Sequence, residues 1–125
     1  MFALLEHKTP DGNVHWDFLL EVAGQERLAT WRLADNPLTA SGDIAAEKLP
    51  DHRRIYLEYE GPLTQNRGKV RRLDRGNAEV HAFTDENALA ELAGEKLRGQ
   101  ATLRTSDSGM WTFIFNPTSR QKLRT

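Results

Sequence analysis

Between Val14 and Val22 the chain alternates residue by residue. Val14, Trp16, Phe18, Leu20 and Val22 are apolar, and His15, Asp17, Leu19 and Glu21 fall between them. Alternation of this kind predicts a strand with one face in a core and the other toward solvent. Phe2 to His7 reads as a shorter strand before it, and Thr9-Pro10-Asp11-Gly12-Asn13 supplies turn chemistry between the two. In the register that puts the loop at 9–13, His7 lies opposite His15 with Cβ atoms ~5 Å apart, whereas a register slip separates them.

The pattern continues in short segments. Residues 27–33 form a third strand around Trp31, which Asp35-Asn36-Pro37 ends. Over 39–51 two readings stand: a one-turn helix capped by Ser41-Gly42-Asp43, or an edge strand at 44–49, with Pro50 ending either. Ile55, Leu57 and Tyr59 alternate with Tyr56, Glu58 and Glu60, which predicts a strand. A strand pair at 68–73 and 78–83 is joined through Asp74-Arg75-Gly76-Asn77, a sequence suited to a turn. The 84–98 stretch fits either a helix N-capped near Thr84 or a strand at 87–93 before a Gly94 turn. Residues 100–105 and 110–115 form a last hairpin around Ser106-Asp107-Ser108-Gly109. The expected architecture is mostly β: a compact antiparallel β-barrel of about seven to eight strands with little helix. Residues 1–117 make one domain, and 118–125 a polar basic tail.

A chain of 125 residues accommodates one domain with a real core. No apolar run approaches the ~20 residues of a membrane helix. Met1–Glu6 reaches a charge too early for a signal peptide, so the expected compartment is the cytoplasm, with no membrane partner and a monomeric chain. The absence of cysteine removes disulfides, thiolate metal sites and cysteine nucleophiles. The net charge of −1 conceals an asymmetry: residues 1–60 carry 6 basic and 11 acidic side chains, residues 61–125 carry 11 basic and 7 acidic. Near-neutrality argues against strong non-specific nucleic-acid binding, whereas brief contact with one end of a nucleic acid fits.

The chemistry-bearing positions lie on the polar face of the second strand. His15 and Asp17 stand roughly 7 Å apart along it, and His7 joins them across the hairpin. Two neutral imidazoles and a carboxylate suit a divalent first-row ion such as manganese or zinc. On spacing alone the same face is also consistent with a hydrated polar surface. His81 is expected in a surface or packing role, and Trp16, Trp31 and Trp111 in the core or at its rim. Lys69-Val70-Arg71-Arg72 with Arg75 reads as a solvated strand edge, with phosphate tracking as the alternative.

Taken in order, Glu6-His7, His15-Trp16-Asp17-Phe18, Pro37-Leu38, Asp51-His52 with Tyr56 and Glu60-Gly61, Asp74-Arg75-Gly76, Gly94-Glu95-Lys96-Leu97-Arg98-Gly99 and Trp111 resemble the 3'-phosphoesterase domain of bacterial DNA ligase D and its small stand-alone relatives. The resemblance implies a β-barrel with a strand-face active site. It further implies a manganese-dependent enzyme that removes a 3'-terminal ribonucleotide part or a 3'-phosphate from nucleic-acid ends during DNA repair, beside a ligase or polymerase. Carried over by motif, His7, His15 and Asp17 would be the metal ligands, and His52 and Tyr56 would serve the phosphate side as catalytic residues. Two positions depart from the pattern. Leu19 stands where the family places an arginine, and Pro62–Gly68 replaces a longer acidic, glycine-rich segment. Arg32, Arg53 and Arg54 are the candidates to supply the missing guanidinium. The rival readings are a non-catalytic metal- or nucleic-acid-binding relative acting as a repair accessory, and a small barrel acting on another phosphorylated molecule.

Overall fold

The computed structural model of the protein describes residues 1–118. Its elements are β1 (Phe2–Lys8), β2 (Val14–Leu20), β3 (Leu28–Leu33), β4 (Ile44–His52), a single 3-10 turn (Arg54–Leu57), β5 (Gly61–Pro62), β6 (Lys69–Phe83), β7 (Asn87–Gly94), β8 (Arg98–Thr105) and β9 (Trp111–Pro117). The strands pair antiparallel in the order β1-β2-β3-β4-β9-β8-β7-β6-β5. A further pairing of β1 with β6 closes eight of the nine into a barrel-like ring. The expected fold class is thus the observed one.

Closure depends on β6, which serves two partners in succession. Lys69 to Gly76 pairs with β1, and Gly76 to Phe83 pairs with β7. The expected turn at 74–77 therefore does not form: these residues lie inside one 15-residue strand. Their turn-like composition has other uses. At Gly76 a Cβ would come 2.2 Å from the Ala93 carbonyl oxygen, so only glycine lets the strand pass so close to β7. Asp74 is buried, and its carboxylate accepts the backbone N–H groups of Glu95, Lys96 and Leu97 at 2.7–3.2 Å. It fastens the β7–β8 turn onto β6 instead of turning its own segment.

The interior holds a ring of aromatics: Phe18 lies against Phe2, Trp31 and Phe113 at centroid distances of 5.8, 6.4 and 5.4 Å, and Trp31 meets Trp111 edge-on at 5.7 Å. The even positions of β2 point inward as the alternation requires. A second, smaller cluster lies outside the ring, where Ala3, Leu5, Leu19, Leu28 and Val70 pack with Leu57 of the 3-10 turn. Because β1 and β2 are covered on both faces, they read as the near-continuous runs Phe2-Ala3-Leu4-Leu5 and Phe18-Leu19-Leu20.

Three other expectations are settled here. The alternation at 55–59 is not a strand: Tyr56, Glu58 and Tyr59 bond back to Arg53 and Ile55 in a tight turn that buries Leu57 and leaves Ile55 56% exposed. One buried anchor over an apolar patch suits a short turn better than a strand. The 44–49 segment is a strand, but an interior one that runs through Pro50 to His52 between β3 and β9. Over 84–98 the strand reading holds, as β7, with Gly94 closing the turn through its N–H to Leu97. Most of the expected 118–125 tail, residues 119–125, lies outside the described residues.

Replacing Asp74 by alanine strands three N–H donors, that of Leu97 buried and those of Glu95 and Lys96 partly buried, each bonded to the carboxylate in the native protein. At ~1–3 kcal/mol for an unmet buried group, Asp74→Ala is expected to lower unfolding stability by about 3 kcal/mol or more, read from the urea midpoint at unchanged m-value.

Candidate active site

Segment 50–68 covers part of the outer face of β1–β3, and the gap left beneath it is a cleft of about 700 Å³. Its walls carry His7, Asp17, Arg27, Arg32, His52, Arg53, Tyr56 and Arg67. Strand register brings them together. His7 pairs with His15 across β1–β2, as expected, and Asp17 sits opposite both Leu5 on β1 and Arg32 on β3. His52 ends β4, and Tyr56 rides on the 3-10 turn, its ring 5.9 Å from that of His52.

Asp17 is the centre of this group. It is only 3% exposed, and its Oδ1 has no hydrogen-bond partner. The nearest cation is the Arg32 Nε at 3.8 Å, too long for a hydrogen bond, and that Nε is itself buried and unpaired. Burial pushes the Asp17 carboxyl above the usual carboxylate range, against the opposing pull of Arg32, His52, His7 and His15 in that order.

The imidazoles are set by backbone carbonyls. Nε2 of His7 lies 2.8 Å from the Arg67 carbonyl oxygen, and Nδ1 of His52 lies 2.9 Å from that of Pro50. A carbonyl only accepts, so each of these nitrogens carries the proton, which leaves the His7 Nδ1 and the His52 Nε2 with free lone pairs in the neutral rings. An N–H anchored on a carbonyl is how metal-binding histidines are commonly oriented. His15 stands apart: its ring centroid is 6.1 Å from that of His7, and it lines an adjoining recess with Arg32 and Glu47. Among the described residues no three His, Asp or Glu side chains converge closely enough to hold a metal ion. The structure therefore brings His7, Asp17, His52 and Tyr56 into one cleft and leaves His15 at its edge.

A family model of the DNA ligase D 3'-phosphoesterase domain matches residues 5–105. The chain belongs to this family. No curated protein matches the sequence. The match spans every residue of the cleft, and it gives a spatial sense to two separated parts of the phosphoesterase-like pattern: Asp74-Arg75-Gly76 and Gly94–Gly99 meet where Asp74 clasps the β7–β8 turn. Leu19, the position at which the resemblance implies an arginine, is fully buried in the outer cluster against Leu57 and cannot reach the cleft. Of the three arginines expected to compensate, Arg32 and Arg53 line the cleft. Arg54 does not; it is committed to Glu21, which also pairs with the Met1 amino group. Arg27 and Arg67 were not legible as site residues. They sit at a strand start and in a loop, where periodicity carries no information, and Arg67 is placed by a chain reversal in which Gly68, at φ +95°, lets the backbone pass over the Lys8 carbonyl.

Trp31 and Trp111 are buried in the barrel, which leaves neither a free face for a base, and Trp16 packs partly buried at its rim. His81 is exposed beside Glu79, as expected of a surface residue. No helix among the described residues is long and apolar enough to cross a membrane.

Because the Asp17 pKa is raised in the folded chain, its ionised form opposes folding above that pKa, and the penalty fades as pH falls through it toward the ordinary value of 3.8. In chelator-treated protein, Asp17→Asn is expected to melt higher than wild type at pH 7 to 8, with the gap closing on acidification to pH ~4. A thermal-denaturation series across that range checks both the sign and the window.

Proposed function

We propose that this chain is a metal-dependent phosphoesterase that processes 3' ends of nucleic acids, removing a terminal 3'-phosphate or 3'-ribonucleotide so that a ligase or polymerase can act in DNA repair. One observation carries the reading: a buried, unpartnered carboxylate shares a cleft with oriented imidazoles, a tyrosine and four arginines. Family membership supports the substrate class.

The donor chemistry fits a first-row divalent ion. His7, through its free Nδ1, and Asp17, through its unpaired Oδ1, would hold it together with His15, whose ring centroid lies 6.1 Å from that of His7. Manganese is the ion the family resemblance favours, with zinc or another first-row ion as substitutes. When bound, such an ion polarises a phosphoryl oxygen and lowers the pKa of a coordinated water. The positive charge also answers the burial that disfavours the Asp17 anion.

The remaining work falls to the chain. Arg27, Arg32, Arg53 and Arg67 set a positive field that draws a phosphate dianion into the cleft and orients it. His52, anchored through Nδ1–H on Pro50, presents Nε2 to the cleft; protonated, it donates to the leaving oxygen, and deprotonated it accepts from water. The Tyr56 hydroxyl adds a donor on the same side, its ring held between His52 and Tyr59, with the Arg53 guanidinium 5.8 Å from its centroid.

A manganese-supplemented assay on primer-templates ending in a 3'-phosphate or a single 3'-ribonucleotide tests this reading. Trimming is expected, with His15→Ala abolishing it and His52→Ala slowing it ~10²–10⁴-fold. If no trimming occurs but manganese raises the melting temperature of wild type and not of His15→Ala, the chain is a binding relative, as the buried Leu19 would favour. If neither effect is found, the metal-dependent reading fails.

A further inference from the structure

We infer that Arg32 is the residue that grips the terminal phosphate in this chain, an inference that rests on the phosphoesterase reading above for the source of that phosphate. Four observations carry it. Arg32 lies in the centre of the outer face, in register between Asp17 on β2 and Glu47 on β4. Its side chain lines both the main cleft and the recess beside His15, so it forms the wall between the two groups of imidazoles. Its Nε is buried, yet has no hydrogen-bond partner, and it stops 3.8 Å short of an equally unpartnered Asp17 Oδ1. The side chain as a whole is 34% exposed, which leaves the guanidinium reachable from the cleft.

A buried guanidinium nitrogen beside a buried carboxylate oxygen normally closes to hydrogen-bonding distance, because each unmet group costs free energy. Here both atoms keep a vacancy in the same cleft. An incoming phosphate monoester meets the need of the arginine, whose planar fork matches two phosphate oxygens at once. The other cleft arginines are less suited to this task. Arg67 spends its Nε and one terminal nitrogen on Thr64, while Arg53 lies against the Tyr56 ring. Arg27 is on the rim, exposed, at the start of β3. Leu19 brings no charge to the face at all, so the guanidinium comes from the neighbouring strand.

The test compares binding of the full chain to three probes: a labelled oligonucleotide ending in 3'-phosphate, the same strand ending in 3'-hydroxyl, and inorganic phosphate. Binding is measured by anisotropy and thermal shift in chelator, where no turnover occurs. Wild type is expected to prefer the 3'-phosphate strand by about tenfold or more, the scale of a charge-assisted bidentate pair. Arg32→Gln should erase the preference, and Arg32→Lys, which keeps the charge but not the fork, should restore only part of it. Arg104→Gln, on a strand that contributes nothing to the cleft, should weaken both strands equally and leave the ratio intact. If Arg32→Gln does not fold, the lysine variant carries the comparison alone. A wild-type preference for the 3'-phosphate strand that persists unchanged in the folded Arg32 variants overturns the inference. Should inorganic phosphate stabilise wild type but not Arg32→Gln while neither strand is preferred, Arg32 binds phosphate as inferred and the nucleic-acid-end reading falls instead. No Arg32-dependent response to any probe overturns the assignment.

Discussion

The outer face of the β1–β2 hairpin has to be covered, and the cover creates the cleft. Leu5 and Leu19 point away from the barrel interior, and with Leu28 and Val70 they would leave an apolar patch in water. Leu57 closes that patch, which draws the 3-10 turn and the chain around it onto the strand face. At ~25 cal/mol per Å² the burial of one leucine contributes about 2 kcal/mol, enough to hold a short loop that has little regular hydrogen bonding of its own. The same loop places His52 and Tyr56 on one side of Asp17 and Arg53 beside them. Hydrophobic packing at one end of the face thus dictates the electrostatics at the other.

Those electrostatics work against stability. Folding removes Asp17 from water without giving its Oδ1 a donor, and the raised pKa records the cost. A core position under no functional demand would be filled by an apolar residue or by a hydrogen-bonded pair. Keeping an unmet carboxylate next to an unmet guanidinium makes sense where a ligand of mixed charge completes both. A divalent ion and a phosphate together form such a ligand, the first answering Asp17 and the second Arg32. Either alone would leave one vacancy open, so on the proposed reading the two bind with mutual support.

What was legible in the sequence follows from how local its causes are. The β1–β2 hairpin and the inward set Trp16, Phe18 and Leu20 follow from alternation and turn chemistry within twenty-odd residues, whereas the register is one of those the pattern allows, chosen in the folded sheet. The pairing of His7 with His15 came with that register. Asp74-Arg75-Gly76-Asn77 misled because its composition serves distant partners, the turn at 94–97 and the close approach of Ala93, rather than its own backbone. The alternation at 55–59 misled because a single buried position, Leu57, satisfies a patch that only the folded strands create. His15 lies at the edge of the cleft for a similar reason. Period two fixes which face a side chain takes, but the way the ring turns within that face depends on neighbours such as Arg32 and Glu47, which are far away in sequence.

Charge placement bears on what kind of nucleic-acid contact this barrel suits. The basic run of β6 reads in sequence as a solvated strand edge, with phosphate tracking as the alternative, and in the fold Arg71 pairs with Glu6, Arg72 with Glu60 and Arg75 with Glu58. Its charge is answered locally, and these pairs hold β6 against β1 and the loop before β5. The arginines of the cleft are a different population: four of them line the cavity that holds Asp17, with Arg32 next to its carboxylate, and Arg67 alone among them spends its guanidinium on neutral oxygens. Net positive field is therefore concentrated in a pocket of limited size instead of being spread along an edge. A protein that tracks a duplex neutralises many phosphates and loses affinity steeply with salt. One that closes on a single terminal phosphate needs only a few cations at one point, and near-neutrality elsewhere keeps it from being held along the strand. The distribution seen here, with positive charge gathered in one cleft, is the one that the proposed activity at ends would call for.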